Sequence, residues 1–168
     1  MERAEILTAI AEINEECLAL WSGEGLLPIE LNSEARRRAA TVPCLLVDPA
    51  PRLKPESSNL TQCESAARIA LHVLMLAWHV VRCRPADSRM LLGLSGQADD
   101  LATSTPRKVT RWVEEGRVRV TPRWPVHMDF WRDLCRHAIS GDEAALEGAR
   151  LRGLNLLIAE STGWPRCT

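Results

Sequence analysis

The sequence predicts an all-α protein, on three observations. Apolar residues recur three or four apart along most of the chain, as they do on the buried face of a helix. Residues that favour helix N-termini precede several of these stretches, among them Ser33, Thr105 and Asp142. Strand-like alternation is confined to one short stretch, RVRVT at 117–121. We therefore expect a small helical dimerisation domain with a helix-turn-helix-like hairpin and a C-terminal helical pair.

Composition is typical of a soluble globular protein. Of the 168 residues, 46% are hydrophobic and 26% are charged. No uninterrupted apolar run reaches the roughly 18 residues that a membrane span needs. The N-terminal stretch MERAEILTAIAEINEE is acidic and amphipathic, unlike a signal peptide. We expect a cytoplasmic protein without a membrane partner.

Residues 1–58 are predicted to form an N-terminal helical extension and a linker. The spacing of the apolar residues predicts a helix over 2–21, and a second short helix follows the cap at Ser33. Four prolines then fall between residues 43 and 58. Because proline fixes φ and removes a hydrogen-bond donor, this stretch is predicted to be an extended linker. Residues 59–168 would then form the main domain.

The main domain begins with a long apolar helix. Thr61 and Glu64 have the spacing of a capping box, and apolar side chains lie nearly all round the stretch IALHVLMLAWHVVR at 69–82. A helix that is apolar on more than one face must be buried on more than one side. Since so small a domain has few elements to cover it, we predict a homodimer through this helix, formed by Ile69, Val73, Leu74, Leu76, Ala77, Val80 and Val81.

Shorter helices follow. They are predicted at 87–92, at 97–102 and at 105–116, where Pro106 occupies the favoured first position. The second and third have the order of a helix-turn-helix, although a standard motif has a longer link than Thr103-Ser104. A helical hairpin that serves only packing is an equal alternative. Two further helices, at 128–139 and after Asp142, form the C-terminal pair.

Charge is unevenly distributed. Residues 1–58 hold 6 basic and 10 acidic side chains, whereas residues 59–168 hold 15 and 12. A local excess of cations can seat phosphates, although this excess is modest for a nucleic-acid-binding protein. The cations cluster on the basic helix with its following arm and on the C-terminal pair. The candidate DNA-binding residues are Arg107, Lys108, Arg111, Arg117, Arg119, Arg132, Arg136, Arg150 and Arg152.

The sequence contains no catalytic motif of the common kinds. It has no GxSxG, HExxH, P-loop or GxGxxG pattern, and its six cysteines include no CxxC pair. The one arrangement that could offer zinc ligands combines His79 and Cys83 with Cys135 and His137. Buried structural thiols are the favoured interpretation. We expect no enzymatic activity, no cofactor and no bound metal.

One stretch resembles a known family. ARIALHVLMLAWHVVR, then MLLGLS, DDLATST and an arm ending in PRW, is similar to the flagellar transcriptional regulator FlhD family. Residues 74–77 match the family's leucine-rich core, and residues 92–95 match its LGIS-like turn. Residues 100–102 match its next helix, and Arg123-Trp124 matches its Arg-Phe ending. The resemblance covers about residues 60–124, and 125–168 in helical layout only; the N-terminal extension is foreign to the family.

The resemblance implies an all-α dimer that acts with a zinc-containing FlhC-like partner. Such a complex binds promoter DNA and recruits RNA polymerase to flagellar genes. This chain would be a co-activator subunit, and its partner would bring the metal. The resemblance favours the C-terminal pair as the DNA-contacting surface, whereas the residues themselves favour 107–119. A helical homodimeric protein–protein interaction module and a stand-alone helix-turn-helix repressor are the alternatives.

Overall fold

The structure is a computed structural model that describes residues 2–50, 64–94 and 98–162. Throughout these ranges the chain is all-α, as predicted, and β pairing there is confined to an isolated bridge between Val47 and Pro122. The helices within these ranges are α1 (Arg3–Gly23), α2 (Ser33–Ala40), α3 (Glu64–Cys83), α4 (Pro85–Leu92), α5 (Ala98–Thr103), α6 (Pro106–Glu114), α7 (Met128–Ser140) and α8 (Glu143–Ser161).

Polar caps begin several helices where the sequence predicts them. The side-chain oxygens of Thr105 and Asp142 each accept a hydrogen bond from the backbone N–H three residues on, at 3.3 and 3.1 Å. Helix α2 differs by one residue, because the capping oxygen belongs to Asn32, with a donor–acceptor distance of 2.8 Å. Ser33 is therefore the first helical residue and not the cap. The predicted capping box at Thr61 lies outside the described residues.

Helix α3 is the centre of the fold, and it is covered within one chain. It packs against α1, α4, α5 and α6. The seven residues predicted to form a dimer interface are all buried, and Val73, Leu74, Ala77 and Val80 are completely inaccessible. The premise that one chain cannot cover this helix is therefore wrong. The N-terminal helix and the short helices surround it on several sides, so these side chains do not face a second copy. The homodimer itself stays a prediction.

Helix α3 also has the length and composition of a membrane span. Its mean hydropathy is 1.3 over the apolar window, and it is the one such helix among the described residues. Half of that window is buried inside the protein. The helix also begins with exposed Glu64 and carries exposed Arg68, His72 and Arg82. This pattern is that of a core helix whose apolar faces contact other helices.

The first part of the predicted linker is a buried core segment. Cys44, Leu45, Leu46 and Val47 are all inaccessible to solvent. The fully buried side chain of Asn14 fixes their backbone. Its amide donates to the carbonyls of residues 40, 42 and 44 at 3.3, 3.4 and 2.9 Å, and its oxygen accepts from the backbone N–H of residue 46 at 3.0 Å. Prolines exclude regular structure here but do not exclude burial; residues 51–58 lie outside the described residues.

The predicted strand-like arm is also irregular and partly buried. Val118 and Val120 are 1% and 6% exposed. The alternation of valine and arginine therefore arises because one side of the arm is buried, and not because the arm is a strand of a sheet. The indole N–H of Trp21 donates to the carbonyl of Val120 at 2.9 Å. Near the end of the arm, the backbone N–H of Arg123 donates to the carbonyl of Leu46 at 2.8 Å. The arm therefore packs along the buried segment that Asn14 holds.

A buried arginine joins the end of the arm to the C-terminal helices. Arg123 is only 4% exposed. Its Nε donates to Glu160 at 2.9 Å, and its Nη1 donates to the carbonyl of Leu92 at 2.9 Å. The carbonyl of Arg123 accepts from the Trp131 indole at 2.9 Å, and the Trp124 indole donates to the same Glu160 oxygen at 2.9 Å. A buried charge needs such partners, and together they fix α4, α7 and α8 around the arm.

The residues of the predicted extension share their core with the rest of the protein. Helix α1 packs on α3, and α2 packs on α7. The rings of Trp21 and Trp131 meet edge to face with centroids 5.7 Å apart. Arg38 Nη1 donates to the carbonyl of Ala138 at 3.4 Å, near the C-terminal end of α7. The hydrophobic core is continuous from α1 to α8, while the predicted boundary at residue 58 lies outside the described residues.

Candidate nucleic-acid interface

Helix α6 presents a cationic face because its sequence separates apolar from basic positions. Val109 is inaccessible and Trp112 is 4% exposed, so both anchor the helix on α3. Arg107, Lys108 and Arg111 lie on the opposite side and are exposed. The three cations therefore project from a helix that is held from beneath by a large aromatic side chain.

Within the described residues, no carboxylate neutralises these three cations. Among the described residues, neither Arg107, Lys108 nor Arg111 lies within 4.0 Å of an acidic oxygen. The ammonium of Lys108 lies 5.2 Å from the centroid of the Trp112 ring, a cation–π distance. An aromatic neighbour attracts a cation without cancelling its charge. We name this surface, Arg107, Lys108 and Arg111, the basic face of α6.

Three of the four candidate cations of the C-terminal pair form ion pairs with carboxylates. Arg132 bonds Asp129 at 3.2 Å, and Arg152 bonds Asp133 at 3.1 Å. Arg150 lies 3.0 Å from Glu147 and 3.5 Å from Glu143. Arg136 is exposed and forms no ion pair with the described part of the chain. Helices α7 and α8 therefore offer a phosphate fewer unpaired cations than α6 does; the DNA contact that the family resemblance assigns to them stays a prediction.

The two candidate arginines of the arm are less exposed than the three on α6. Arg117 is partly buried, its Nε lies 3.2 Å from Glu115, and its guanidinium lies 5.9 Å from the Trp112 ring centroid. Arg119 is also partly buried. These two arginines belong partly to the packing of the arm. The five candidates predicted for the basic helix and arm are thus divided between an exposed trio and a partly covered pair.

Sequence reasoning missed a fourth cation near this surface. The guanidinium of Arg82, at the end of α3, lies 4.8 Å from the centroid of the Trp78 ring. The Trp78 indole N–H donates to the carbonyl of Ser104 at 2.8 Å, immediately before α6 begins. Arg82 is therefore held close to the start of the basic face. The i, i+4 spacing of the tryptophan and the arginine on one helix was the available signal.

The hairpin of α5 and α6 matches the predicted order but not a standard helix-turn-helix. Helix α5 has six residues, and Ser104 and Thr105 connect it to α6. Both helices pack on α3. Ser104 is 2% exposed, whereas Thr105 is exposed, so only the first residue of the connection is buried. A recognition role for α6 stays a prediction, because the structure shows how the helix is supported and not what it contacts.

The thiols are placed for packing. Burial raises the pKa of Cys44 and of Cys135 to about 12, and it also raises the pKa of Cys17. A thiol that keeps its proton is a poor nucleophile and a poor metal ligand. Cys83 is exposed on α3. Within the described ranges, no group of three or more His, Cys, Asp or Glu side chains is arranged to hold a metal ion.

Fold and surface together define an all-α protein with an exposed basic helix supported on a buried core helix. Comparison of the chain with protein-family models, with curated proteins and with solved structures finds no match. The likeness of residues 60–124 to the FlhD family therefore stays a prediction from short motifs.

Proposed function

We propose that the protein is a DNA-binding transcriptional regulator that contacts the phosphate backbone through the basic face of α6. The observation that supports this proposal is the exposure of Arg107, Lys108 and Arg111 without carboxylate partners among the described residues. Phosphate contacts by lysine and arginine supply most non-specific DNA affinity, because each contact releases condensed counterions. Arg82 extends this surface at the start of α6.

Three or four phosphate contacts alone give weak binding at physiological salt. The protein therefore acts as a subunit that shares DNA contacts. On the family resemblance, it is a co-activator of the flagellar master regulator type. It works in the bacterial cytoplasm with an FlhC-like partner at promoters and recruits RNA polymerase. That partner supplies the metal site, and this chain carries neither cofactor nor catalytic group.

The experiment compares two triple variants that remove the same number of charges. The first is Arg107→Ala, Lys108→Ala and Arg111→Ala. The matched control is Arg37→Ala, Arg132→Ala and Arg150→Ala, which removes cations that are already paired and lie outside the basic face of α6. Binding to a labelled mixed-sequence duplex is followed by fluorescence anisotropy at low salt. We expect the first variant to lose at least about tenfold in affinity and the control to lose less than about threefold. Equal losses, or a larger loss in the control, would contradict the proposal.

A helical interaction module is the second candidate, and one observation favours it. The solvent-exposed face of α8 carries apolar side chains, including Leu151 and Ile158 at 54% and 52% exposed. Absence of DNA binding, both by the chain alone and with an FlhC-like partner, would support this function. Tight, sequence-specific binding by the chain alone would support a stand-alone repressor.

A further inference from the structure

Helix α8 is apolar on two opposite faces, and only one of them is covered. Its inner face packs into the core through Leu146, Ala149, Gly153 and Leu157, all buried. Its outer face carries a second row of exposed residues. We name this row the outer stripe of α8; its members are Ala144, Gly148, Leu151, Asn155 and Ile158. The stripe itself contains no charged residue; exposed charged residues of α8, among them Glu147 and Arg152, lie beside it.

The spacing of the outer stripe is that of a coiled-coil seam. Its members follow one another at intervals of four, three, four and three residues, which is the a/d pattern of a heptad repeat. Asn155 occupies an a position, where a single asparagine pairs with its equivalent and fixes register. Gly148 also lies at an a position, and a Cβ atom there would meet nothing within 4 Å. A second helix can therefore approach the stripe closely.

The charges beside the stripe complement those of a second copy. Glu147 and Arg152 lie at the g position of one heptad and the e position of the next. In a parallel pair of helices these positions face each other across the seam, and they set partner choice and orientation. Within its own chain, Glu147 bonds Arg150 at 3.0 Å and Arg152 bonds Asp133 at 3.1 Å. These are exposed pairs of low strength that can exchange partners.

We propose that the outer stripe of α8 is the interface with a second copy of this chain, the two α8 helices lying parallel about a two-fold axis. The same residues then contribute from both subunits, so Leu151 and Ile158 each meet their own equivalents. This surface differs from α3, which is covered by its own chain. The proposal concerns self-association alone and does not depend on DNA binding.

The first test places charges in the stripe. Sedimentation velocity over a concentration series measures the dimer dissociation constant of the wild type and of Leu151→Glu with Ile158→Glu. The control is Met90→Glu with Ile139→Glu, which replaces two aliphatic side chains of comparable exposure, 54% and 44%, outside the stripe. All four positions are exposed, so circular dichroism should show folded protein in each case. We expect the stripe variant to weaken dimerisation at least about a hundredfold and the control to dimerise as the wild type does.

The second test exchanges the flanking charges. Glu147→Arg alone and Arg152→Glu alone each place like charges across the seam and should weaken the dimer at least about fivefold. The double exchange should restore the wild-type dissociation constant to within about twofold. A wild-type chain that stays monomeric, or a stripe variant that dimerises normally, would overturn the proposed interface. Failure of the double exchange to restore dimerisation would overturn the parallel arrangement.

Discussion

Asn14 shows how one polar side chain can organise an irregular segment. Its amide and its oxygen together make four hydrogen bonds to backbone groups of residues 40–46, with no solvent access. Each such bond to a buried group is expensive to lose, at about 1–3 kcal/mol for an unpaired group. In the sequence, Asn14 is one polar residue next to the apolar face of a helix. Its partners are some 30 residues away, so nothing local predicts the role.

Gly93 lies against the buried side chains of Arg123 and Leu157, so a substitution there tests how tightly these side chains are packed. Its φ of 67° lies in the left-handed region, as does that of Gly116 at 65°. A Cβ atom at Gly93 would overlap the guanidinium of buried Arg123 and approach Leu157 Cδ1 to 2.6 Å, whereas one at Gly116 would meet nothing within 4 Å. We expect Gly116→Ala to cost about 1–2 kcal/mol of stability for the backbone alone. Gly93→Ala should cost about 1–3 kcal/mol more.

Urea denaturation of the two glycine variants, with the wild type as reference, measures this difference. The comparison isolates the overlap, because both substitutions carry the same backbone strain. Equal destabilisation of the two variants would show that Arg123 and Leu157 can move aside without loss of stability. It would contradict a rigid arrangement of side chains around Arg123.

The buried thiols predict a loss of stability at alkaline pH. Their pKa is raised on folding from an ordinary value of 9.0, so folding favours the protonated thiol. Their contribution is fully present below about pH 9 and is lost as the pH rises from there toward the folded values. The free energy of unfolding should fall by up to about 1.4 kcal/mol per pH unit for each buried thiol. The chain has no tyrosine, so few other groups titrate in this interval.

The measurement is urea denaturation at intervals between pH 8.5 and about pH 10, with Cys135→Ala beside the wild type. The free energy of unfolding of Cys135→Ala should fall less steeply with pH than that of the wild type, by the contribution of one thiol, whatever the stability of the variant at neutral pH. An unchanged slope in Cys135→Ala would mean that this thiol is already accessible in the folded protein.

At the scale of elements, helices were predictable wherever local chemistry determines them. Thr105 and Asp142 cap the helices that the sequence assigns to them. The predictions that were wrong concern which parts of the chain pack over a given segment. The apolar faces of α3 predicted a second subunit, but α1 covers part of that surface, and the sequence gives no local sign of their contact. The row of prolines predicted a linker, although residues 44–47 are buried.

A charge in α3 distinguishes burial within one chain from burial in a dimer. Leu74 is inaccessible to solvent within its own subunit. Leu74→Asp should therefore unfold the protein, because an unpaired charge and a lost leucine together cost more than about 4 kcal/mol. Circular dichroism and urea denaturation measure this, with Ser65→Asp, at an exposed position in the first turn of α3, as the control. A folded, soluble monomer carrying Leu74→Asp would support the original interface and contradict the structure.

The whole molecule separates its charges between surfaces. The N-terminal 58 residues have four more acidic than basic side chains, and residues 59–168 have three more basic than acidic ones. Ion pairs on α7 and α8 neutralise several of those later cations. The basic face of α6 is consequently a concentrated group of exposed positive charge on a nearly neutral chain. Only the three-dimensional arrangement reveals this, because the pairing of Arg152 with Asp133 joins two helices.

A dimer of this chain would carry two copies of the basic face of α6. A two-fold dimer carries two copies of α6, and two copies provide twice the number of phosphate contacts on one duplex if their separation matches the DNA repeat. The affinity of the dimer would then exceed that of either subunit without any new type of contact. Since dimerisation and DNA contact use different helices, α8 and α6, variants can separate the two properties.

The salt dependence of DNA binding shows which cations contact the phosphate backbone. Each phosphate neutralised by a cation contributes about 0.9 to the slope of log affinity against log salt concentration. Binding of the wild type is measured by anisotropy at several salt concentrations, with any required partner present. We expect Arg107→Ala, Lys108→Ala and Arg111→Ala together to reduce the slope by about 2–3 per chain. We expect an almost unchanged slope for the control Arg37→Ala, Arg132→Ala and Arg150→Ala. A slope that falls only in the second variant, or in neither, would contradict the assignment of DNA contact to the basic face of α6.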